Sequence, residues 1–390
     1  MTYKGVTQVI VTIAFLLLTV SGASGQCPVS VLTPNLMAPT KAIISTKGNL
    51  LVAEEGNGVN TGRISIIDPA SGDRRTLLDG LPSGFAPPNN DPSGPSGLAM
   101  RGRTLYVTIS LGDAVFKGPL PNSFIPNPNP SSPIFTSLLA VHFSANTEAS
   151  TNGFVLSSSD QVSLKSGATV YLDNGTGDKL SVELVADFPD YVPEPRPGLP
   201  NAVRQSNPFG IALKGDHAYV ADASSNIIRD VDLETRTFST LTTFGPLPNN
   251  RGFGPPVVEP VPDSIHIYGD QLLVTLLSGF PFPIGNAQVR TVDIASGTSA
   301  PFITGLTSAI DVLPVAEGGF LTLEFSSDML NPAAAGRLSF YNSASASPVV
   351  IANCLITPTS LSQDEKTKDT YVTEIFTGRV VKIPGNNLLP

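Results

Sequence analysis

Leu50-Leu51-Val52-Ala53-Glu54 is the stretch from which the fold can be inferred, because the same pattern recurs along the chain. Each copy is a five-residue run of mainly apolar and β-branched residues, and most copies end in a carboxylate. The other copies occupy residues 105–109, 218–222, 272–276, 320–324 and 370–374. Short runs of this composition predict β-strands, and their regular recurrence predicts a repeat fold.

The residues around each copy predict three more strands in every repeat. In the first repeat, residues 64–68 and 75–78 flank Ser71-Gly72-Asp73, and Gly and Asp favour tight hairpin turns of this kind. Four short strands in a repeat of about fifty residues are typical of one blade of a β-propeller. The six copies therefore predict an all-β, six-bladed β-propeller.

One interval between repeats is too long for a single blade. Pro95 and Pro208, which begin the second and third repeats, are about twice as far apart as Pro39 and Pro95. Residues 119–133 are crowded with Pro, Asn and Ser, and proline cannot donate to a strand ladder. We therefore expect residues 114–168 to be an insertion between the second and third strands of blade two. A ring of seven blades is the alternative.

The two ends of the chain complement each other. The sixth repeat stops after its third strand, residues 380–383, and residues 29–36 match the fourth-strand segment 349–355. We therefore expect the N-terminal strand to complete the last blade, since closing the ring removes exposed sheet edges.

The two cysteines allow two interpretations. Cys27 and Cys354 are an even pair, which in a secreted protein favours a disulfide. However, the alignment of the chain ends places Cys27 eight residues from the position equivalent to Cys354. Along a strand this offset corresponds to about 26 Å, whereas a disulfide needs Cα atoms within about 7 Å. We therefore predict two unpaired cysteines.

The N-terminus and the composition predict a secreted, acidic protein. Lys4, the apolar run 9–20 and Ala23-Ser24-Gly25 form a signal peptide over residues 1–25, with an uncleaved anchor as the alternative. Residues 26–390 would then be a single domain, and we expect a monomer in the extracellular space or the periplasm. The net charge of −9 argues against nucleic acid or an anionic membrane as the partner, and no membrane contact is expected after cleavage.

Three stretches resemble a known family. They are Pro95-Ser96-Gly97-Leu98-Ala99, Ser206-Asn207-Pro208-Phe209-Gly210-Ile211-Ala212 and Leu277-Ser278-Gly279-Phe280-Pro281-Phe282-Pro283-Ile284-Gly285. The chain resembles the ScyD/ScyE family, and its blade motifs also resemble NHL-repeat and gluconolactonase-like propellers. The resemblance implies a secreted propeller and supplies no catalytic residues. The long Pro/Ser-rich insertion departs from the family pattern.

The last residue of each second strand is a candidate metal ligand. The repeat alignment places four carboxylates at this position, near one mouth of the central tunnel: Glu54, Asp222, Glu324 and Glu374. Carboxylate oxygens are ligands that Ca²⁺ prefers, so these residues and Asp311 could hold this cation. The alternative is structural, in which each carboxylate accepts backbone N–H groups and fixes its own loop.

The first strands supply the residues expected to line the tunnel. The alignment places Ala42, Gly97, Gly210, Ser264, Asp311 and Ser360 in one ring. Asp311 interrupts a set of mostly small residues, so it is the main candidate for ligand binding, with Asp263 beside it. Phe280 and Phe282 lie in a Pro- and Gly-bounded loop after the second strand of blade four, which predicts either a ligand contact or packing beneath the insertion.

Two functions remain open on the sequence. The first is a non-enzymatic extracellular propeller that binds a small molecule or a protein on its insertion-bearing face. The alternative is a Ca²⁺-dependent, gluconolactonase-like hydrolase whose tunnel carboxylates hold the metal. We favour binding because no Asn, the neutral oxygen ligand that such a site needs, occupies a ring position. The sequence also has no zinc or nucleophile motif such as HExxH or GxSxG.

Overall fold

The computed structural model describes residues 27–387, whose regular secondary structure is almost entirely β-strand. The expected signal peptide, residues 1–25, lies outside the described residues. Between residues 27 and 387 no helix has the length and apolar character needed to cross a membrane.

Of the seven sheets with four or five strands among the described residues, six follow one another along the chain and are numbered one to six here. Sheet one contains Pro39–Ile44, Leu50–Glu54, Gly62–Ile67, Arg74–Leu81 and, added in parallel, Phe154–Val155. Sheet two contains Pro95–Arg101, Thr104–Ile109, Ser137–Phe143, Lys179–Asp187 and, at its edge, Val170–Asp173. Sheet three contains Pro208–Lys214, His217–Asp222, Ile227–Asp232 and Phe238–Thr243.

The other three sheets have four strands each. Sheet four contains Pro262–Tyr268, Gln271–Leu276, Ala287–Asp293 and Ser299–Leu306. Sheet five contains Ala309–Pro314, Phe320–Glu324, Gly336–Tyr341 and Val349–Leu355. Sheet six contains Pro358–Gln363, Thr370–Glu374, Arg379–Ile383 and Ser30–Thr33.

The first strands of these sheets form a closed ring. Each contacts the first strand of the next sheet, and that of sheet six contacts that of sheet one. Hydroxyl groups donate hydrogen bonds to backbone carbonyls of the next sheet: Thr40 Oγ1 lies 3.0 Å from Ser96 O, and Thr359 Oγ1 lies 3.2 Å from Pro39 O. Antiparallel four-stranded sheets arranged radially around an axis are a β-propeller. Its apolar core lies between the faces of neighbouring sheets, as in the cluster that joins Leu105 and Val107 to Ile64 and Ile66.

The N-terminal strand closes the ring as expected. Ser30–Thr33 pairs antiparallel with Arg379–Ile383, with Ser30 opposite Lys382 and Val31 opposite Val381. Leu36, just beyond this strand, is buried beside Leu50 and Val380. Residues from both chain ends therefore share one sheet and one apolar cluster.

The prediction of unpaired cysteines is wrong. Cys27 and Cys354 form a disulfide with their Cα atoms 6.0 Å apart. The estimate from strand rise failed because residues 27–29 precede the strand and do not continue along its axis. Val29 packs instead with Leu355 and Ile383, which brings the chain end to the outer strand of sheet five.

The prediction of a single insertion at 114–168 is also wrong. Ser137–Phe143 lies inside this range, yet it pairs with Thr104–Ile109 and Lys179–Asp187 as the third strand of sheet two. The extra residues therefore form two segments, 110–136 and 144–178. The second contains the helices Ala145–Ser150 and Ser158–Lys165, and a 3-10 turn, Gly385–Asn387, lies near the C-terminus.

Most long connections lie on the face of the propeller at which the first strands begin, here called the loop face. They comprise residues 82–94, 110–136, 188–207, 244–261, 277–286 and 325–335. Val115–Lys117 and Phe124–Pro126 from the first insertion join Tyr191–Pro193 and Val203–Gln205 in a small sheet. Two hairpins are also present, Gly84–Ala86 with Asp91–Ser93 and Leu247–Pro248 with Val257–Val258. The loop face is therefore an elaborated surface.

Candidate functional site

The propeller axis is nearly closed by backbone. A Cβ on Gly97 would lie 2.1 Å from Phe209 O, and one on Gly210 would lie 2.3 Å from Asp263 O, so only glycine fits at these positions. The remaining axial cavity has a volume of about 10 Å³, and Lys41, Asp263 and Ser264 are among the residues that line it. A cavity of this size holds about one water molecule, which is too little space for an organic substrate.

Asp311 is the centre of a buried polar cluster at this axis. Its side chain is fully buried, and its Oδ2 accepts from Lys41 Nζ and from Leu361 N, both at 2.8 Å. Its Oδ1 accepts from His266 Nε2 at 3.0 Å and from its own neighbour Val312 N at 2.9 Å. Burial alone would raise the pKa of Asp311, but Lys41 and His266 outweigh it and hold the pKa well below its ordinary value. One carboxylate thus joins sheets one, four, five and six.

The sequence alignment missed Lys41 as a residue of the ring. Each first strand carries one extra residue where the pairing register shifts, and the residue after it faces the axis. In sheet one Ala42 is opposite Val52, ten residues later in the chain, whereas in sheet two Leu98 is opposite Val107, nine residues later. The turn between the first and second strands is therefore one residue longer in sheet one. Lys41, not Ala42, is therefore equivalent to Gly97 and Asp311, and the longer turn was the signal that could have identified it.

Asp263 and Glu55 are buried acids near this cluster. Asp263 lines the axial cavity, is 6% exposed, and its Oδ1 has no hydrogen-bond partner among the described residues. Burial, together with the charge of Asp311, raises the pKa of Asp263 well above its ordinary value. Burial and the nearby Asp91 and Asp263 raise the pKa of Glu55 in the same direction. Asp311 and Asp263, predicted as neighbours, are thus electrostatically coupled.

Replacing Asp263 by Asn should weaken the pH dependence of stability. A carboxyl whose folded pKa is raised contributes stability that is complete below the unfolded pKa of about 3.9 and is lost as pH rises through the folded pKa. Asn does not ionise, so between pH 4 and pH 8 the free energy of unfolding of D263N should rise by about 1–3 kcal/mol relative to that of wild type. Thermal unfolding followed by circular dichroism across this range measures the change.

The matched control for this prediction is Asp270→Asn. Asp270 is 97% exposed in its ion pair with Lys214, so D270N should follow the wild-type pH profile. Parallel pH profiles for wild type and D263N would show that Asp263 does not ionise at a cost in the folded protein.

The four carboxylates at the second-strand ends do not converge on the tunnel. Each is fully or almost fully buried and accepts from a backbone N–H at the entrance to the first strand of its own sheet. These contacts are Met37 N with Glu54 (2.6 Å), Asn207 N with Asp222 (2.8 Å), Thr307 N with Glu324 (2.6 Å) and Ile356 N with Glu374 (2.7 Å). These four carboxylates therefore accept backbone N–H groups and fix their own loops, as in the structural alternative.

An arginine completes each of these caps. The pairs are Arg74 with Glu54, Arg229 with Asp222, Arg337 with Glu324 and Arg379 with Glu374. Donors from the protein thus engage both oxygens of every carboxylate. Within residues 27–387, no three His, Cys, Asp or Glu side chains are grouped so that they could hold a metal ion. The predicted metal site on Glu54, Asp222, Asp311, Glu324 and Glu374 is not assembled, because N–H groups and guanidinium groups occupy the oxygens that Ca²⁺ would need.

Phe280 and Phe282 lie on the loop face. Their rings are 6.0 Å apart and perpendicular, and Phe280 is 56% exposed. The neighbour of their loop is the segment 249–256, since Arg251 Nε donates to Phe282 O at 3.1 Å and Gly254 lies against Pro281. Neither phenylalanine lines the axial cavity, so the predicted ligand-binding residues form two separate places.

Comparisons with known proteins add little to this description. No protein-family model matches the chain, and no curated protein is similar to it. Among solved structures, the chain is similar to a nidogen/laminin complex with 13% identity, a TM-score of 0.48 and coverage of 87% of this chain and 89% of that chain. It is also similar to a PQQ-bound aldose sugar dehydrogenase from Streptomyces coelicolor, with 12% identity, a TM-score of 0.49 and coverage of 93% and 99%. A third similar structure is the Kuenenia stuttgartiensis hydrazine synthase, with 14% identity, a TM-score of 0.47 and coverage of 91% and 78%.

Proposed function

We propose that the chain is a secreted, six-bladed β-propeller of the ScyD/ScyE type that binds a ligand or protein partner on its loop face. Each of the six sheets would be one blade, and the protein would perform no chemistry of its own. The observation that supports binding is a set of exposed apolar side chains on three adjoining loops, which we call the loop-face patch: Phe253, Phe280, Ile284 and Leu330. These four side chains are between 42% and 56% exposed.

Polar contacts hold the loops of this patch in place. Arg251 donates to Phe282 O and forms an ion pair with Asp328, so it connects segments 249–256, 277–286 and 325–335. Asn250 Nδ2 donates to Ile284 O at 3.1 Å, and Asn249 Nδ2 donates to Phe253 O at 2.7 Å. A surface ordered before binding loses less conformational entropy when a partner arrives. Exposed apolar groups on ordered loops are typical of interaction sites.

The hydrolase alternative lacks support from the donor set. The carboxylates that would hold Ca²⁺ are engaged by N–H groups, and the axial cavity holds about one water molecule. His142 contacts Thr104, His217 contacts Asp230, and His266 contacts Asp311, so the three histidines lie in separate places. We therefore retain the binding function as the proposal.

Phe253→Ser combined with Phe280→Ser should weaken partner binding at least tenfold without unfolding the protein. Large aromatic side chains supply much of the energy of protein interfaces, and truncating one typically costs more than 1 kcal/mol. Immobilised wild type captures partners from the secreted fraction of the source culture, and the affinity of a captured partner for wild type and for each variant is then measured with purified components.

The matched control is Val162→Ser combined with Tyr171→Ser, which removes exposed apolar side chains away from the loop face. Their exposed fractions are 60% and 81%. A partner that binds both double variants as it binds wild type would contradict the proposal.

A further inference from the structure

Sheets three and four share an arginine position but differ in what surrounds it. Arg229 is opposite Val220 on the third strand of sheet three, and Arg290 is opposite Val274 at the same place in sheet four. In sheet three Asp222 ends the second strand and binds this arginine, with Nη2 of Arg229 2.6 Å from Oδ2. In sheet four the residue that ends the second strand is Leu276. Sheet four therefore keeps the cation and lacks the internal anion.

Aromatic rings fill the space around the arginine of sheet three. The guanidinium carbon of Arg229 lies 4.9 Å from the centroid of Phe188 and 5.9 Å from that of Phe238. Phe238 is opposite Val231, and the residue at the matching position of sheet four, opposite Val292, is Ser299. Replacing a phenylalanine and an aspartate by a serine and a leucine leaves space beside Arg290.

This space is a cavity of about 400 Å³ between the third and fourth sheets. It is lined by Thr242, Thr243, Phe244, Leu276, Arg290 and Ser299, together with the loop 245–247. Its volume lies within the range typical of small-molecule sites, about 300–1,000 Å³. Hydroxyl groups and a guanidinium stand beside an aromatic ring and a leucine, so the cavity suits a ligand with one polar and one apolar end.

Arg290 has hydrogen-bonding capacity left for such a ligand. Its Nε donates to Ser299 Oγ at 2.7 Å, Nη2 donates to Ser299 O at 3.1 Å, and Nη1 donates to Gln288 Oε1 at 3.3 Å. One N–H on each terminal nitrogen then has no protein acceptor among the described residues, and no carboxylate there pairs with this arginine. Burial lowers the pKa of Arg290, as expected for a cation without a counter-charge.

We propose that this cavity binds a small organic carboxylate with an apolar tail, whose carboxylate accepts from the remaining N–H groups on Nη1 and Nη2 of Arg290 and supplies the anion that Asp222 supplies to Arg229. The planar guanidinium offers two parallel N–H donors that match a carboxylate. Phe244 and Leu276 then face the apolar tail. This site is distinct from the loop-face patch and does not depend on it.

Benzoate is the probe for this site, measured by isothermal titration calorimetry with the mature protein at pH 7. Wild type should bind benzoate measurably, and benzamide, which has the same shape without the charge, should bind at least tenfold more weakly. Arg290→Gln should lose benzoate binding by at least tenfold. Ser299→Phe should abolish it with Arg290 still present, because the ring occupies the cavity as Phe238 does in sheet three.

Arg236→Gln is the matched control, because it removes an arginine whose partner, Glu183, lies outside the cavity. It should bind benzoate as wild type does, and circular dichroism confirms that each variant is folded. No heat of binding with wild type up to about 20 mM, equal binding of benzoate and benzamide, or unchanged binding by R290Q would overturn the proposal. Inorganic phosphate binding more tightly than benzoate would also overturn it, since the site would then be selective for a different anion.

Discussion

Replacing Asp311 by Asn should lower the free energy of unfolding by about 3–5 kcal/mol, because it removes the charge that neutralises Lys41 inside the ring. The four donors around Asp311 are Lys41 Nζ, His266 Nε2, Leu361 N and Val312 N. An ionised carboxylate is an acceptor only and suits all four, whereas the amide of Asn would point two N–H groups at other donors. Denaturant unfolding of purified wild type and D311N measures the difference.

The pH dependence of this difference provides a second check. The folded pKa of Asp311 lies below its ordinary value, so its stabilisation is complete above the unfolded pKa of about 3.9 and is lost as pH falls below it. The gap between wild type and D311N should therefore be full at pH 7 and should shrink below about pH 4. This direction is opposite to the one expected for Asp263.

Asp230→Asn is the matched control for D311N. Asp230 also contacts a histidine, His217, at 2.7 Å, but on the outside of sheet three, where both side chains are partly exposed. Exposed ion pairs contribute about 0–1 kcal/mol, so D230N should change stability by no more than this. Equal effects of D311N and D230N would show that the axial cluster does not hold the ring together.

Deleting residues 27–36 should have the other large effect, which is loss of a soluble folded protein. The deletion removes strand Ser30–Thr33 and the buried Leu36, so it exposes the edge of Arg379–Ile383 in a ring that depends on closure. Unpaired strand edges promote aggregation. Soluble yield, size-exclusion chromatography and the melting temperature measure the result. A truncated protein that melts at the wild-type temperature would show that the strand does not close the ring.

The deletion also removes the disulfide, so the two contributions must be separated. Cys27→Ser combined with Cys354→Ser keeps the strand and breaks only the covalent link between residues 327 positions apart. Loss of a disulfide typically costs about 2–4 kcal/mol, so this variant should stay folded with a lower melting temperature. If the serine variant aggregates as the deletion does, the disulfide rather than the strand closes the ring.

The repeat could be recognised from the sequence because the apolar run of a strand and the residue that ends it are adjacent in the chain. Leu50–Glu54 and its copies carry their own apolar pattern, and all six became second strands of a sheet. The closing strand could also be predicted, since residues 29–36 resemble the fourth strand that the sixth repeat lacks. Both inferences needed only the order of residue types along the chain.

The errors arose where a position depends on contacts between distant segments. The disulfide depends on residues 27–29, which lie outside the closing strand and lead the chain to the strand containing Cys354. Lys41 entered the ring because one turn is a residue longer, and a shift of one residue reverses the direction of a strand side chain. Ser137–Phe143 follows the Pro- and Asn-rich residues 119–133 and was assigned to the same insertion, and its pairing with both neighbouring strands identifies it.

The sequence by itself determined the repeating β-architecture, the closing strand and the types of residue available at each strand end. Only the tertiary structure decided what those residues contact, because their partners lie on other strands and are not identified by the local sequence pattern. A carboxylate at a strand end is a metal ligand or a cap according to whether donors reach it, and Arg74, Arg229, Arg337 and Arg379 do. Likewise, the arginine of sheet four stands in an open cavity because its neighbours are Leu276 and Ser299, which no local pattern distinguishes from ordinary strand residues.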